Sequence, residues 1–173
     1  VALGLVGMTV LILTLACNVS VGGWGRRTIR GSSRVIEETR QIGSIDSVEL
    51  ATIGTLFIEV GDEESLRIEV EDNLLPYIDT EVRAGTLVID VDPNTNLRNT
   101  RPIDYYLTVQ ELSAIRLSSS GDAEAPDLEA DRFEIVVSSS GDLSMGELDC
   151  GSCDIRLSSS GDVDLEAVYG EQL

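Results

Sequence analysis

The chain has 173 residues and a formal net charge of −19, and all twelve of its basic residues are arginine because it contains no lysine and no histidine. Without imidazole or lysine ammonium groups it cannot build a Ser-His-Asp or Cys-His nucleophile pair, an HExxH zinc motif, a Walker loop or a Schiff base. The negative charge also argues against nucleic acid as a partner, because phosphate backbones bind basic surfaces. At this length a single domain is expected.

The chain opens with an apolar stretch, VALGLVGMTVLILTLA (residues 1–16), which ends on a small residue directly before Cys17. Such a stretch closed by a small residue is typical of a secretion signal. The cysteine at this place resembles the lipobox of bacterial lipoproteins, although Thr14 stands where leucine is usual. We therefore interpret residues 1–16 as a signal peptide or membrane anchor, truncated at its start, with Cys17 as the lipid attachment residue. An uncleaved anchor without lipid is the alternative.

The charge of the chain is divided unevenly. Residues 1–43 hold five arginines against Glu37 and Glu38, so seven of the twelve basic and 29 of the 31 acidic residues lie after residue 43. A basic segment near the membrane followed by an acidic body is expected of an extracytoplasmic, membrane-anchored protein of the cell envelope or cell surface. We interpret 17–36 as a tether and 37–173 as a single domain.

The first half of this domain, residues 44–110, alternates between apolar and polar residues, as strands with one buried face do. Gly61-Asp62, Asp72-Asn73 and Ala84-Gly85 mark turns between the strands. Residues 92–102 form the one long polar loop, and no helix longer than two turns is expected. The predicted strands are Ser47–Thr52, Thr55–Val60, Ser65–Glu71, Ile78–Arg83, Thr86–Val91 and Ile103–Val109.

The second half, residues 111–173, contains a regular repeat. The motif Ser-Ser-Ser-Gly-Asp occurs at 118–122, 138–142 and 158–162, with the same spacing both times. Aligning the repeats places Ile115, Ile135 and Ile155 in one column, and apolar and polar columns alternate on both sides of the glycine. A fixed short period with this alternation predicts an all-β solenoid of 20-residue repeats, with less regular rungs in 44–110.

Stacked repeats place equivalent residues above one another. Ser119, Ser139 and Ser159 have inward parity, which predicts a buried ladder of hydroxyl groups, whereas the serines on either side of them face outward. Cys150 and Cys153 also fall in inward columns. We interpret these cysteines as small core residues; a redox pair is the alternative, and in an oxidising compartment they could form a local disulfide.

Several segments resemble one known family. They are Gly54-Thr-Leu-Phe-Ile-Glu-Val-Gly-Asp-Glu-Glu-Ser-Leu, Asp72-Asn-Leu-Leu-Pro-Tyr-Ile, Gly85-Thr-Leu-Val-Ile and the Ser-Gly-Asp repeats. They resemble the family named putative auto-transporter adhesin, head GIN domain, over residues 37–173. The resemblance implies a right-handed parallel β-helix on exported bacterial proteins, often behind a lipoprotein signal, with no established enzyme activity.

The first functional hypothesis is therefore an exported, membrane-tethered acidic β-solenoid that acts as an adhesin-like interaction module without catalysis. Its partner would be an envelope protein or a polysaccharide, and the N-terminus would bind the membrane. This hypothesis rests on architecture and location, which do not by themselves name contact residues.

A second hypothesis is calcium binding, because stacking would bring Asp122, Asp142 and Asp162 to about 5 Å from one another at one corner. The competing interpretation is that Gly-Asp is a turn dipeptide whose carboxylate bonds the backbone. No other cofactor is expected.

The third hypothesis is a β-helical enzyme acting on polysaccharides, since such enzymes work with pairs of carboxylates. Here the acids lie in regular outward columns, and no single pair departs from the repeat. Arg116 and Arg156 share one outward column and are expected to pair with Glu134 and Asp154 rather than to serve in catalysis.

Overall fold

The computed structural model describes residues 26–158 and 160–172. Within these ranges the regular structure consists of strands and of one 3-10 turn, Leu75–Tyr77, so the all-β prediction is confirmed. None of the described helical structure has the length and apolarity of a membrane span. The strands are β1 (Arg27–Arg30), β2 (Val35–Gln41), β3 (Ser47–Leu50), β4 (Thr55–Val60), β5 (Ser65–Glu71), β6 (Ile78–Arg83), β7 (Thr86–Val91), β8 (Thr95–Arg98), β9 (Asp104–Val109), β10 (Ala114–Leu117), β11 (Asp122–Ala125), β12 (Leu128–Val137), β13 (Leu143–Leu157) and β14 (Val163–Gln172).

The strands form where apolar residues recur at every second position. In β9, Tyr105 and Leu107 are buried, while Asp104, Tyr106 and Thr108 between them are half-buried. Because successive side chains of a strand point to opposite faces, this pattern buries one face of the sheet. The predicted bounds of β4, β5, β6 and β7 coincide with those of the structure, and β3 and β9 are slightly shorter than predicted.

Twelve of the described strands form one sheet, and β1 and β8 form a separate two-stranded sheet. The order of the large sheet is β2-β5-β9-β4-β11-β13-β12-β10-β3-β7-β6, with β14 paired to β13. The long strand β13 pairs with β11 through its first residues and with β12 through the rest. The sheet therefore curls around a single apolar core.

In the second half of the chain, segments that are one repeat apart pair in parallel. Ile115 lies beside Ile135, Ile135 beside Ile155, and Leu143 beside Val163. The columns that the sequence predicted are thus the columns of the sheet.

The glycine of each Ser-Ser-Ser-Gly-Asp motif is required by close approach of the backbone. A Cβ at Gly121 would lie 2.5 Å from the carbonyl oxygen of Thr52. A Cβ at Gly141 would collide with the carbonyl oxygen of Gly121, and one at Gly161 with that of Gly141. Glycine alone lets the chain turn this close to the preceding segment.

The first half is arranged differently, because its spatial order does not follow the chain. Strand β4 lies between β9 and β11, and β3 lies between β7 and β10. The later segment 86–109 therefore packs outside the earlier segment 47–60. Strands β5 and β6 then pair antiparallel to β9 and β7, and β2 pairs antiparallel to β5. The sequence predicted irregular rungs here and did not anticipate that antiparallel strands lie at both ends of the sheet order.

Three strands lie where the sequence predicted none. The segment 92–102, predicted as a loop, contains β8, and the segment 17–36, predicted as a tether, contains β1 and the start of β2. Strands β1 and β8 pair in parallel, with Ile29 beside Leu97, and both side chains pack against the core. The loop prediction was wrong at 95–98 because a strand this short gives too little alternation to stand out from a polar background.

Burial in the isoleucine column depends on having a paired strand on both sides. Ile115 and Ile135 are fully buried, whereas Ile155 is 38% exposed. The predicted serine ladder is less buried than expected: Ser119 and Ser139 are half-buried, and Ser159 lies outside the described residues.

Candidate interaction face

The outward side chains of β2, β5, β9, β4, β11 and the start of β13 form one face, here called the acidic face. Strand register places Glu37 beside Glu69, Glu69 beside Asp104, and Thr55 between Asp104 and Asp122. Because paired residues of neighbouring strands point to the same side, these carboxylates follow one line across the sheet. We call this line the acidic row; it comprises Glu37, Glu69, Asp104, Asp122, Asp142 and Asp162.

Asp122, Asp142 and Asp162, the residues predicted as a cation site, are joined through the backbone. The Asp142 N–H donates to Oδ1 of Asp122 at 3.0 Å, and the Asp162 N–H donates to Oδ1 of Asp142 at 2.9 Å. Each bond links one repeat to the next, which agrees with the turn interpretation. Within 26–158 and 160–172 no group of three or more acidic or cysteine side chains is arranged to hold a metal ion. Calcium binding here stays a prediction.

A second line of side chains runs beside the acidic row; we call it the aromatic row, comprising Arg67, Tyr106, Phe57 and Glu124. Register places these four residues side by side on β5, β9, β4 and β11. The rings of Phe57 and Tyr106 stack, with centroids 5.1 Å apart and planes 17° apart. The guanidinium carbon of Arg67 lies 3.8 Å from the centroid of Tyr106, a cation–π contact.

Arg67 is held by carboxylates as well as by the ring. It pairs with Glu69, and its Nη1 lies 3.4 Å from a carboxylate oxygen of Glu37. Burial lowers the pKa of Arg67 because it disfavours the charged form. The hydrogen bond and charge of Glu69, followed by the charge of Glu37, outweigh burial and raise the pKa. Burial and the neighbouring charge of Glu69 raise the pKa of Asp104. The carboxylates of Glu69 and Glu37 thus stabilise the charged form of Arg67.

Two arginines and two acidic residues pair with one another on the outward side of β10, β12 and β13. We call this surface the ion-paired face; it comprises Arg116, Glu134, Asp154 and Arg156. Glu134 pairs with Arg116, and its other oxygen lies 2.6 Å from Nη1 of Arg156, which also pairs with Asp154. The hydrogen bond from Arg116 is the main cause that lowers the pKa of Glu134. The prediction that both arginines pair with these acids is confirmed.

The two cysteines of the repeat half form a disulfide. Cys150 and Cys153 are bonded with their Cα atoms 5.9 Å apart, and both residues are buried. Cys150 lies in register with Ala130, and Cys153 with Phe133. The interpretation as inward core residues is confirmed, and the local disulfide left open by the sequence is present. Cys17, the predicted lipid attachment residue, lies outside the described residues.

A buried carboxylate that the sequence analysis missed is Glu71, at the end of β5. Its oxygens accept hydrogen bonds from the Ser33 N–H at 2.5 Å, the Thr100 N–H at 2.8 Å and the Thr100 hydroxyl at 2.6 Å. A side chain on Gly31 would collide with this carboxylate. Burial raises the pKa of Glu71, but these bonds outweigh burial and lower it. The partners lie far away along the chain, so no local motif marked the residue.

Phe57, Tyr106 and Arg67 were not recognised from the sequence either. They lie on separate strands, and Phe57 and Tyr106 are joined across strands that are not consecutive in the chain. The signal in the sequence was the outward parity of the two aromatic residues, Phe57 and Tyr106, in strands whose other face is buried.

The fold and this face define the described residues as an all-β domain whose outer surface carries a line of carboxylates and a pair of stacked aromatic rings. The chain belongs to the family described as putative auto-transporter adhesin, head GIN domain, whose model matches residues 44–172. The resemblance drawn from the sequence is thereby confirmed. Membership of this adhesin-like family indicates an extracellular or surface protein. No protein of curated function matches the chain.

Solved structures share the fold. A putative adhesin from Bacteroides fragilis is 22% identical with a TM-score of 0.73, covering 78% of this chain and 63% of its own. A putative adhesin from Parabacteroides merdae is 14% identical with a TM-score of 0.74, covering 83% and 61%. A putative lipid binding protein from Parabacteroides distasonis is 21% identical with a TM-score of 0.59, covering 84% and 75%. At these identities the likeness concerns the fold alone. The chain spans about three fifths of the length of the two adhesins.

Proposed function

We propose that this protein is an exported, membrane-tethered β-solenoid that serves as a non-catalytic interaction module of the cell envelope or surface, and that it binds its partner through the acidic face. The observation that carries the proposal is the acidic row, which aligns carboxylates from separate segments in one line beside the cation–π contact of the face. A partner with complementary positive charge gains both attraction and faster encounter from such a surface.

The solenoid architecture is supported by the constant offset of one repeat between paired strands in the second half. In a solenoid each repeat contacts only its neighbours, so a whole repeat can be removed without breaking the columns. Deleting residues 134–153 should give a folded, cooperatively melting protein by circular dichroism. Deleting 134–143, which shifts every later residue to the wrong column, should abolish folding. Equal behaviour of the two deletions would contradict the proposal.

Export and tethering are supported by the apolar segment before Cys17 and by membership of an adhesin-like family. The test is labelling of bacteria that express the chain with a labelled fatty acid, followed by isolation of the protein. Wild type should incorporate the label and Cys17→Ser should not, since the Cys17 thiol accepts the lipid in this proposal. Membrane-bound wild type without label would show an uncleaved anchor instead.

The role of the acidic face can be tested with substitutions that keep the fold. Asn at positions 122, 142 and 162 retains the Oδ1 acceptor that links the repeats and removes three charges. We expect Asp122→Asn/Asp142→Asn/Asp162→Asn to weaken binding of the labelled full chain to isolated envelopes and to leave its melting temperature nearly unchanged. The control removes three charges elsewhere: Glu81→Gln/Glu129→Gln/Asp149→Asn. Equal loss in both variants would indicate bulk charge and overturn the role of the face.

The two alternative functions predict different results from the same protein. Calcium binding would raise the melting temperature at millimolar calcium through mass action. A polysaccharide-active enzyme would release reducing or unsaturated ends from an envelope polymer. In the proposed function neither effect occurs, and either one would redirect the assignment.

A further inference from the structure

The acidic face already contains one bound guanidinium, that of Arg67, and its contacts show what this surface recognises. The group lies 3.8 Å from the centroid of Tyr106 and is paired with Glu69 and Glu37. An aromatic ring beneath the cation and carboxylates beside it make a complete binding arrangement for a guanidinium.

The aromatic row contains a second aromatic ring with a carboxylate beside it. Phe57 stacks on Tyr106 from the neighbouring strand on the side away from Arg67, and Glu124 lies beside Phe57 in register. In the part of the chain that the structure describes, Glu124 makes no ion pair, and no arginine lies over the ring of Phe57 as Arg67 lies over that of Tyr106. Phe57 is half-buried and Glu124 is exposed, so both are open to a partner.

Beyond Glu124 the face continues as a shallow hollow of about 360 Å³, lined by Asp122, Glu124, Asp142, Asp162 and Asp164 among others. Neighbouring strands lie about 4.8 Å apart, so Asp122, Asp142 and Asp162 follow one another at about that spacing, while Ser144 separates Glu124 from Asp164 in the next column. A small cation would contact only one or two of these carboxylates. A polypeptide with several cationic side chains can pair with successive carboxylates, so it is the better match for this surface.

We infer that Phe57, Glu124 and the adjoining hollow form a docking surface for an extended, arginine-bearing segment of a partner protein. One arginine of that segment lies over the ring of Phe57 and pairs with Glu124, as Arg67 does with Tyr106 and Glu69. Further arginines follow the line of carboxylates. This inference rests on the proposed function and names the chemistry of its partner. Arginine fits better than lysine because its planar guanidinium stacks on a ring and pairs with carboxylates at the same time.

The test measures binding of two labelled peptides to the full chain by fluorescence anisotropy. One peptide alternates glycine with arginine, and the other alternates glycine with lysine, so their charges and lengths are equal. We expect the arginine peptide to bind about threefold more tightly, which is the effect of one exposed cation–π contact. Phe57→Leu should remove this difference while leaving the lysine peptide nearly unaffected.

Two further variants separate the docking surface from bulk charge. Glu124→Gln should weaken binding of the arginine peptide severalfold, whereas Glu81→Gln, which removes one charge outside the acidic face, should leave it within experimental error. Equal affinities of wild type for the two peptides, or equal losses in Glu124→Gln and Glu81→Gln, would overturn the inference. If Phe57→Leu fails to fold by circular dichroism, the comparison of the two glutamate variants decides.

Failure of this inference is distinguishable from failure of the proposed function. Binding of wild type to isolated envelopes that is unchanged in Phe57→Leu and Glu124→Gln would leave the interaction module standing and remove the arginine docking surface. Absence of any envelope binding by wild type would remove the proposed function itself.

Discussion

The two halves of the molecule use the same curled sheet but reach it by different means. Within residues 111–172, strands that pair with each other are parallel and one repeat apart, so each segment lies on the one before it. In residues 26–110, strand β4 lies between two strands from later in the chain, and β2, β5 and β6 pair antiparallel.

The difference shows how position is specified in each half. In the repeat half, each residue lies beside the residue one repeat away, and the glycine of each motif lets neighbouring repeats pack closely. The first half has no period, and individual side chains such as Glu71 join segments that are far apart in sequence. The repeat half should therefore be most sensitive to backbone spacing, and the first half to single polar contacts.

The largest effect is expected from Gly141→Ala. The new Cβ would meet the carbonyl oxygen of Gly121, a backbone atom that cannot move without shifting a whole repeat. We expect a loss of more than about 4 kcal/mol in the free energy of unfolding, measured by urea denaturation. Gly43→Ala is the control, because a Cβ there has nothing within 4 Å. A stable Gly141→Ala protein would show that the repeats are not in contact at this corner.

The second-largest loss of stability is expected at Ile135, and it is compared with the loss at Ile155 in the same column. Ile135 is fully buried between repeats, whereas Ile155 is 38% exposed. Ile135→Ala should cost about 3 kcal/mol through lost burial and the cavity left behind, and Ile155→Ala about half as much or less. Thermal and urea unfolding of the two variants give the comparison. Equal losses would mean that the last repeat is covered in solution.

Glu71→Gln tests the first half. The amide nitrogen of glutamine would face N–H and O–H donors, which leaves buried groups unpaired and costs about 2 kcal/mol at neutral pH. The folded protein lowers the pKa of Glu71, so its stabilising effect is complete above the unfolded-chain value of about 4.3 and is lost as the pH falls through the folded value.

The difference in unfolding free energy between wild type and Glu71→Gln should therefore shrink as the pH falls below about 4. Glu129→Gln, at an exposed glutamate, is the control and should change stability by less than about 0.5 kcal/mol. A difference that grows on acidification would mean that the carboxylate is not held in its charged form.

The smallest effect is expected on the ion-paired face. Arg156 pairs with Glu134 and Asp154, but its side chain is 59% exposed. Arg156→Ala should cost less than about 1 kcal/mol, because water and salt screen exposed pairs. The loss should shrink in about 1 M NaCl, because the Debye length falls to about 3 Å there and exposed charge pairs are weakened. A loss that persists at high salt would point to packing by the arginine stem.

The sequence was a good guide wherever the information was local. The bounds of β4, β5, β6 and β7 and the columns of the repeat follow from alternation over a few residues. It was a poor guide to β1 and β8, whose short strands are stabilised by pairing with each other. In the candidate face, Asp122, Asp142 and Asp162 came from the repeat, whereas Phe57, Tyr106 and Arg67 were not recognised.

The sequence by itself determined the spacing of the repeat, the inward or outward parity of each position and the excess of acid in the body of the chain, because each of these depends on neighbouring residues and on composition. Only the tertiary structure decided that residues 47–60 lie inside 86–109, that Glu71 is buried, and that Arg67, Tyr106 and Phe57 form one row. The physical reason is that these features depend on which strands become neighbours. Neighbours are selected by the burial of the whole core and not by any local pattern.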